Sequence, residues 1–203
     1  PLAEESGLIL PIGEWALQAA CERLALWAQQ PALAGLTLAV NVSPRQFHQS
    51  CFVPQVLAAL ARAGAEGSHL KLEMTEGLLL ADVEDTIAKM STVRSYGVGF
   101  SLDDFGTGYS SLAYLKRLPL TQLKIDQSFV RDVLTDPNDA AIARTVVALA
   151  NSLGLDVIAE GVETEEQRAF LARNHCHSWQ GYLLSKPIPA ADFEQLVRDY
   201  NQG

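Results

Sequence analysis

The sequence predicts an α/β domain, and three observations carry that prediction. Short apolar segments alternate with helical ones along the chain, each strand candidate ends in a polar residue, and most of those polar residues are chemically demanding ones. Alternation of this kind builds parallel βα units covered by helices. A doubly wound sheet and a TIM-like (β/α) barrel both satisfy it. The strand ends separate the two: a barrel gathers them around one mouth, whereas an open sheet spreads them along a line. Asn41, Glu73, Asp103, Lys124 and Glu160 each fall near the C-terminal end of a different strand candidate, and Gln180 lies in the sixth. Chance polar caps would not favour so many carboxylates with a lysine, so the barrel is expected.

The elements follow in order. A helix-like run covers 12–30, with Trp15 and Trp27 assigned to a helix face. A β-branched strand over 36–43 stops at Asn41, and a helix is read over 46–63. The later strands are read at 70–76, 98–104, 120–126 and 155–161, with a short sixth at 179–184. Helices are expected over 83–95, 111–116, 138–153, 164–173 and 191–200. A closed barrel of this type has eight strands, so about two are expected to lie before Pro1. The chain is therefore read as one N-terminally incomplete domain over 1–203.

Composition narrows the function classes. The chain has 203 residues, 48% of them hydrophobic, and a formal charge of −9. Such a field repels polyphosphate partners, so general DNA or RNA binding is not expected. An anionic substrate stays compatible if cations occupy an acidic site, because bound ions invert its local electrostatics. No run approaches transmembrane length and no signal peptide is evident, so a cytoplasmic domain is expected, with the parent either soluble or membrane-attached. Cys21, Cys51 and Cys176 form no CxxC pair and are expected as small hydrophobes in the packing. His175 and His177 read better as surface or packing residues than as ligands.

The stretch LDDFGTGYSS, residues 102–111, holds the strongest local signal. Strand alternation would send Asp103 and Asp104 to opposite faces unless the strand is already turning. Asp103 is expected to face the mouth, with the turn bringing Asp104 back. The pair suits magnesium or manganese; an Asx turn or cap is the plainer alternative. Glu73 is a metal candidate, and Glu76 either caps the next helix or accepts hydrogen bonds from the glycine-serine loop. Asn41 is a neutral ligand or the start of a capping turn before Pro44. Lys124 pairs with Asp126, orients a water or stabilises phosphoryl charge. Glu160 enters the mouth, and Glu163 caps the following helix or supports the cation shell. Thr107, Tyr109 and Ser110 are expected to line a flexible wall. GTGYSS lacks the spacing and lysine of a nucleotide-binding P-loop.

At these residues the chain resembles the EAL-domain family of cyclic-di-GMP phosphodiesterases. VNVSPRQF at 40–47, LEMTE at 72–76, DDFGTGYSSLAYLKRLP at 103–119, LKIDQSFV at 123–130, AEGVETEEQ at 159–167 and QGYLLSKPIP at 180–189 carry the resemblance. It implies two divalent cations, Mg2+ or Mn2+: Asn41, Glu73 and Asp103 on one, Asp103 and Asp104 on the second, with Glu160 counted among the metal residues as well as beside the catalytic water. Lys124 and Glu160 would be the catalytic pair, with Glu160 the general base. Glu76 would anchor the loop, and Glu163 and Gln180 would support the site. The defining Glu-Ala-Leu tripeptide, expected upstream, is absent. The implied reaction is hydrolysis of cyclic-di-GMP to linear pGpG; a weak or inactive cyclic-di-GMP receptor is the alternative. Homodimerisation and fusion to sensory or cyclase domains are implied for the parent.

Overall fold

The structure, a computed structural model, describes residues 2–80, 82–106 and 112–201. Helices α1 (Leu2–Glu5) and α2 (Ile9–Trp27) precede strand β1 (Leu38–Asn41). Helices α3 (Pro44–Phe47) and α4 (Phe52–Ala63), strand β2 (Leu70–Thr75) and helix α5 (Val83–Arg94) follow. Then come β3 (Gly99–Phe105), α6 (Leu112–Leu115), β4 (Gln122–Ile125), α7 (Gln127–Arg131) and α8 (Pro137–Leu153). The chain closes with β5 (Asp156–Ala159), α9 (Glu165–Arg173), β6 (Ser178–Trp179) and α10 (Ala190–Tyr200). The sheet order is β1-β2-β3-β4-β5-β6, as expected of successive βα units.

Two compact units divide the chain. The first comprises Pro1–Met74, Ala81–Phe100 and Ile188–Gly203; the second comprises Thr75–Leu80 and Ser101–Pro187.

In the first unit β1 and β2 pair in parallel, with Val40 opposite Leu72 and Asn41 opposite Glu73. Leu70, Leu72 and Met74 are buried while Lys71 and Glu73 are half-buried, the period-two signature of a strand. Helix α2 buries Gly13, Leu17, Ala20, Cys21, Leu24 and Trp27, spaced to form one stripe. Trp15 lies off that stripe and is 71% exposed, against 5% for Trp27. The two tryptophans therefore do not share a face, because twelve helical steps of about 100° turn them well apart. The helix expected over 46–63 is two helices. Ser43 caps α3 through the Gln46 amide, and α4 starts afresh at Phe52 and ends on Gly64 in the left-handed region. Cys51 sits in that break and is exposed, unlike the buried Cys21 and Cys176.

In the second unit β3 to β6 pair in parallel. All four β4 residues are buried, as befits a strand covered on both faces. Side-chain caps start its longer helices: Asp136 for α8, and for α9 a Thr164–Gln167 capping box. The sixth strand lies at Ser178–Trp179, so Gln180 follows it rather than opening it.

Candidate active site

The second unit builds a polar cluster from strand register alone. Ser101 opposes Gln122 and Leu102 opposes Leu123, but the next pairing is Phe105 with Ile125. Two residues of β3, Asp103 and Asp104, therefore stand against the single residue Lys124, a β-bulge. Asp104 takes a φ of +55°, and its amide donates to Asp103 Oδ1 at 3.1 Å. The bulge breaks the alternation that would have sent the two carboxylates to opposite faces, which is the turning strand the sequence required.

Lys124 is 3% exposed, and its ammonium donates to Asp103 Oδ1 at 3.1 Å and to Glu160 Oε1 at 2.6 Å. Register explains the second contact. Lys124 opposes Ile158 on β5, and Glu160, two residues on, returns to the same face. The Glu160 amide donates to Ile125 O at 3.1 Å, continuing the ladder. Beyond it, Ile158 opposes Ser178 and Ala159 opposes Trp179, so Gln180 arrives beside Glu160. Its amide nitrogen donates to Glu160 Oε1 at 2.6 Å. Asp103, Lys124, Glu160 and Gln180 thus form one hydrogen-bonded chain across four strands.

Asp126 completes the group, and sequence reasoning gave it too small a role. It is the N-cap of α7, accepting from the Ser128 amide at 2.9 Å and from the Ser128 hydroxyl. It also shares a hydrogen bond with Asp104. Burial, then repulsion from Asp103 and Asp126, pushes the Asp104 carboxyl above the ordinary aspartate range. For Asp126, burial acts upward but is outweighed by the hydrogen bonds from Ser128 and Asp104, so it titrates below that range. The KID spacing was the available signal: a lysine and an aspartate two apart at a strand end.

In the first unit Asn41 and Glu73 are register neighbours, and the Val42 amide donates to Glu73 O at 2.8 Å. The cap before Pro44 is Ser43, not Asn41. Asn41 also lines a groove of about 610 Å3 between α2 and β1, with Ile12, Trp15, Leu38 and Gln46. Gln46 is 4% exposed, and its Oε1 lacks a hydrogen-bond partner. Glu76 opens a 3-10 turn and is 7% exposed, and among the described residues neither carboxylate oxygen has a hydrogen-bond partner. The helix after it is capped by Asp82, which corrects the capping alternative for Glu76. Its expected partner loop, with Thr107, Tyr109 and Ser110, lies outside the described residues. Glu163 is exposed and is not a cap, since Thr164 holds that position. His175 and His177 are exposed.

Among the described residues, no three His, Cys, Asp or Glu side chains are gathered closely enough to enclose a metal ion by themselves. Asp103 and Glu160 do, however, already share one cation, the Lys124 ammonium, and their exposures of 16% and 15% leave them reachable from solvent. Hard carboxylate oxygens of this kind are the donors that magnesium and manganese take. The donor chemistry fits such an ion.

Parallel βα units with carboxylates and a lysine at successive strand ends define a strand-end α/β site of the kind that barrel enzymes use. The chain belongs to the EAL domain family, which it matches over residues 1–187. It is 48% identical over 197 residues to the bifunctional diguanylate cyclase/cyclic di-GMP phosphodiesterase MucR of Pseudomonas aeruginosa, covering 97% of this chain and 28% of that protein. The chain thus spans little more than a quarter of that relative's length. Among solved structures it superimposes on the PaMucR phosphodiesterase in its c-di-GMP complex with a TM-score of 0.91 and 48% identity, covering 95% of this chain and 78% of the other. It also matches the Klebsiella pneumoniae BlrP1 manganese/cy-diGMP complex at pH 9.0, with a TM-score of 0.73 and 32% identity over 85% of this chain and 44% of the other. The fold is TIM-like, with the six parallel strands seen here.

Proposed function

We propose that the chain hydrolyses cyclic-di-GMP to linear pGpG with the help of divalent cations. The observation that carries this reading is the lysine-centred chain from Asp103 through Lys124 and Glu160 to Gln180. Its support is the family membership, together with relatives whose names state this activity or this ligand.

The roles follow from the contacts. Glu160 is fixed by an ammonium and an amide on its Oε1, and its carboxylate is assigned the role of general base toward an attacking water. Lys124 is held at the reacting end by two carboxylates and supplies positive charge toward the phosphoryl oxygens. Gln180 orients Glu160. Asp103 and Asp104, set side by side by the bulge, are the second unit's metal donors, with Glu160 beside them. Asn41 and Glu73 are the first unit's candidates, and manganese or magnesium is the expected ion. A bound divalent ion would lower the pKa of water and offset charge on the transferring phosphoryl group. Glu76 is assigned to the glycine-serine loop and Glu163 to support of the β5–α9 turn. For the whole protein, fusion to sensory or cyclase domains and homodimerisation belong to the same proposal.

The test is incubation of the purified chain with cyclic-di-GMP and Mn2+ or Mg2+, with pGpG resolved by chromatography. Product that vanishes with a chelator and returns with metal supports hydrolysis. A second reading, a cyclic-di-GMP receptor without turnover, draws on the absence among the described residues of a three-donor metal cluster. Tight nucleotide binding with no pGpG at any metal concentration would favour it.

A further inference from the structure

Gln167 uses every hydrogen-bonding position of its side-chain amide, and it uses them on two different elements. Its Oε1 accepts from the Glu163 amide at 2.8 Å and the Thr164 amide at 3.0 Å. Its Nε2 donates to Val130 O at 3.3 Å and Arg131 O at 3.2 Å. An amide has two acceptor sites and two donor protons, so none is left over. The side chain is 7% exposed. A helix-capping glutamine needs only the first pair of bonds; the second pair reaches the last turn of α7.

Those two elements bear the two halves of the polar cluster. Helix α7 starts on Asp126, directly after the strand that carries Lys124. The β5–α9 turn starts with Glu160 and runs through Glu163 to Thr164. At its start this turn is pinned by the Glu160 amide on Ile125 O, and midway by the Val162 amide on Gln180 O. Gly161 has a φ of +67°, and a Cβ there would come within 2.7 Å of Gln127 Cβ, so the turn lies tightly on α7. The Leu183 amide also donates to Val162 O at 3.0 Å, and Gln167 adds a side-chain pin at the far end of the turn.

We propose that Gln167 is a positioning residue for Glu160: its amide clamps the β5–α9 turn to the C-terminal turn of α7 and so keeps the Glu160 carboxylate on the Lys124 ammonium. The link to turnover rests on the hydrolase reading above; the clamp itself does not.

The discriminating variant is Gln167→Glu, which keeps the oxygen that closes the first turn of α9 but removes both protons given to Val130 and Arg131. Gln167→Ala removes everything, and Asp136→Ala, which deletes the α8 cap, is a control for a general loss of stability. Hydrogen–deuterium exchange and pGpG production are read on all four chains. Gln167→Glu should speed exchange about tenfold at 160–164 and 130–133, the scale of two buried hydrogen bonds lost, with 168–173 unchanged. It should lower kcat about 10–100-fold at unchanged KM, as lost supporting contacts do. Asp136→Ala should leave exchange at 160–164 and kcat at wild-type values. Wild-type exchange at 160–164 in Gln167→Glu, with loosening only in Gln167→Ala, would reduce Gln167 to a helix cap. A wild-type chain that makes no pGpG would defeat the hydrolase reading, while the exchange comparison still decides the clamp.

Discussion

Two charge clusters, one in each unit, are near mirror images. In the second unit one cation, Lys124, lies between two carboxylates, at 3.1 Å from Asp103 and 2.6 Å from Glu160. In the first unit one anion, Glu194, lies between two arginines, at 2.9 Å from Arg23 and 3.5 Å from Arg198, with the Trp27 indole donating at 2.8 Å. The difference is which sign is left over and where. The Lys124 cluster buries its single cation and presents surplus carboxylate to solvent, so it can still take a cation or a proton. The Glu194 cluster surrounds its single anion with donors, and its surplus is arginine, which stays protonated. One keeps carboxylates within reach of solvent; the other fastens α10 to α2.

Substitutions can break or sharpen that contrast. The largest effect is expected at Glu160. Glu160→Gln keeps an oxygen for Lys124 and Gln180 but cannot accept a proton, so kcat should fall about 10²–10⁴-fold with little change in Tm; near-normal turnover would strip Glu160 of the base role. Lys124→Met should follow, with a loss of about 10²–10³-fold in kcat, and its thermal transition should drop because two half-buried carboxylates lose their shared partner. A variant as active as wild type would make the ammonium structural only.

Asp103→Asn comes third. It keeps a hydrogen bond to Lys124 but weakens a metal donor. Activity at limiting Mn2+ should fall by at least the roughly 10–100-fold that supporting contacts of metal sites command, and raised metal should recover part of it. A loss indifferent to metal concentration would take Asp103 off the ion.

Glu194→Gln should have the smallest effect: unchanged turnover and a slightly lower Tm at neutral pH. Its pH dependence has a definite sign. The Trp27 indole and Arg23 guanidinium hold the Glu194 carboxyl below the ordinary glutamate range. A depressed folded-state value means stabilisation that is complete above the unfolded value of about 4.3 and disappears as pH falls through the folded one. The Tm gap between wild type and variant should therefore be full at pH 6–7 and close below about pH 4. A gap that persists in acid would show that packing, not charge, fastens α10.

Much of the fold was legible. Apolar runs of strand length and helix-like periodicity located the long elements, because those signals act between near neighbours. The candidate site was legible as residue types at strand ends, and the order of Asp103, Lys124, Glu160 and Gln180 along the chain is also their order across the sheet. Less was legible where packing overrode pattern. Trp15 and Trp27 look equivalent in a helical run, yet only Trp27 finds Glu194 and Phe193. The helix break at Cys51 was announced only by Pro54, which falls in the first turn of α4, and the short α7 carries no glycine or proline signal.

The sequence by itself determined which chemistry is on offer: carboxylates, a lysine and amides at the ends of parallel strands, because side-chain type and local periodicity are written residue by residue. Only the tertiary structure decided which of them touch. The bulge that sets both Asp103 and Asp104 against Lys124, and the amide of Gln167 joining the β5–α9 turn to the last turn of α7, depend on the register between segments distant in the chain. A one-residue shift in pairing turns a side chain to the other face, and no local preference fixes that choice.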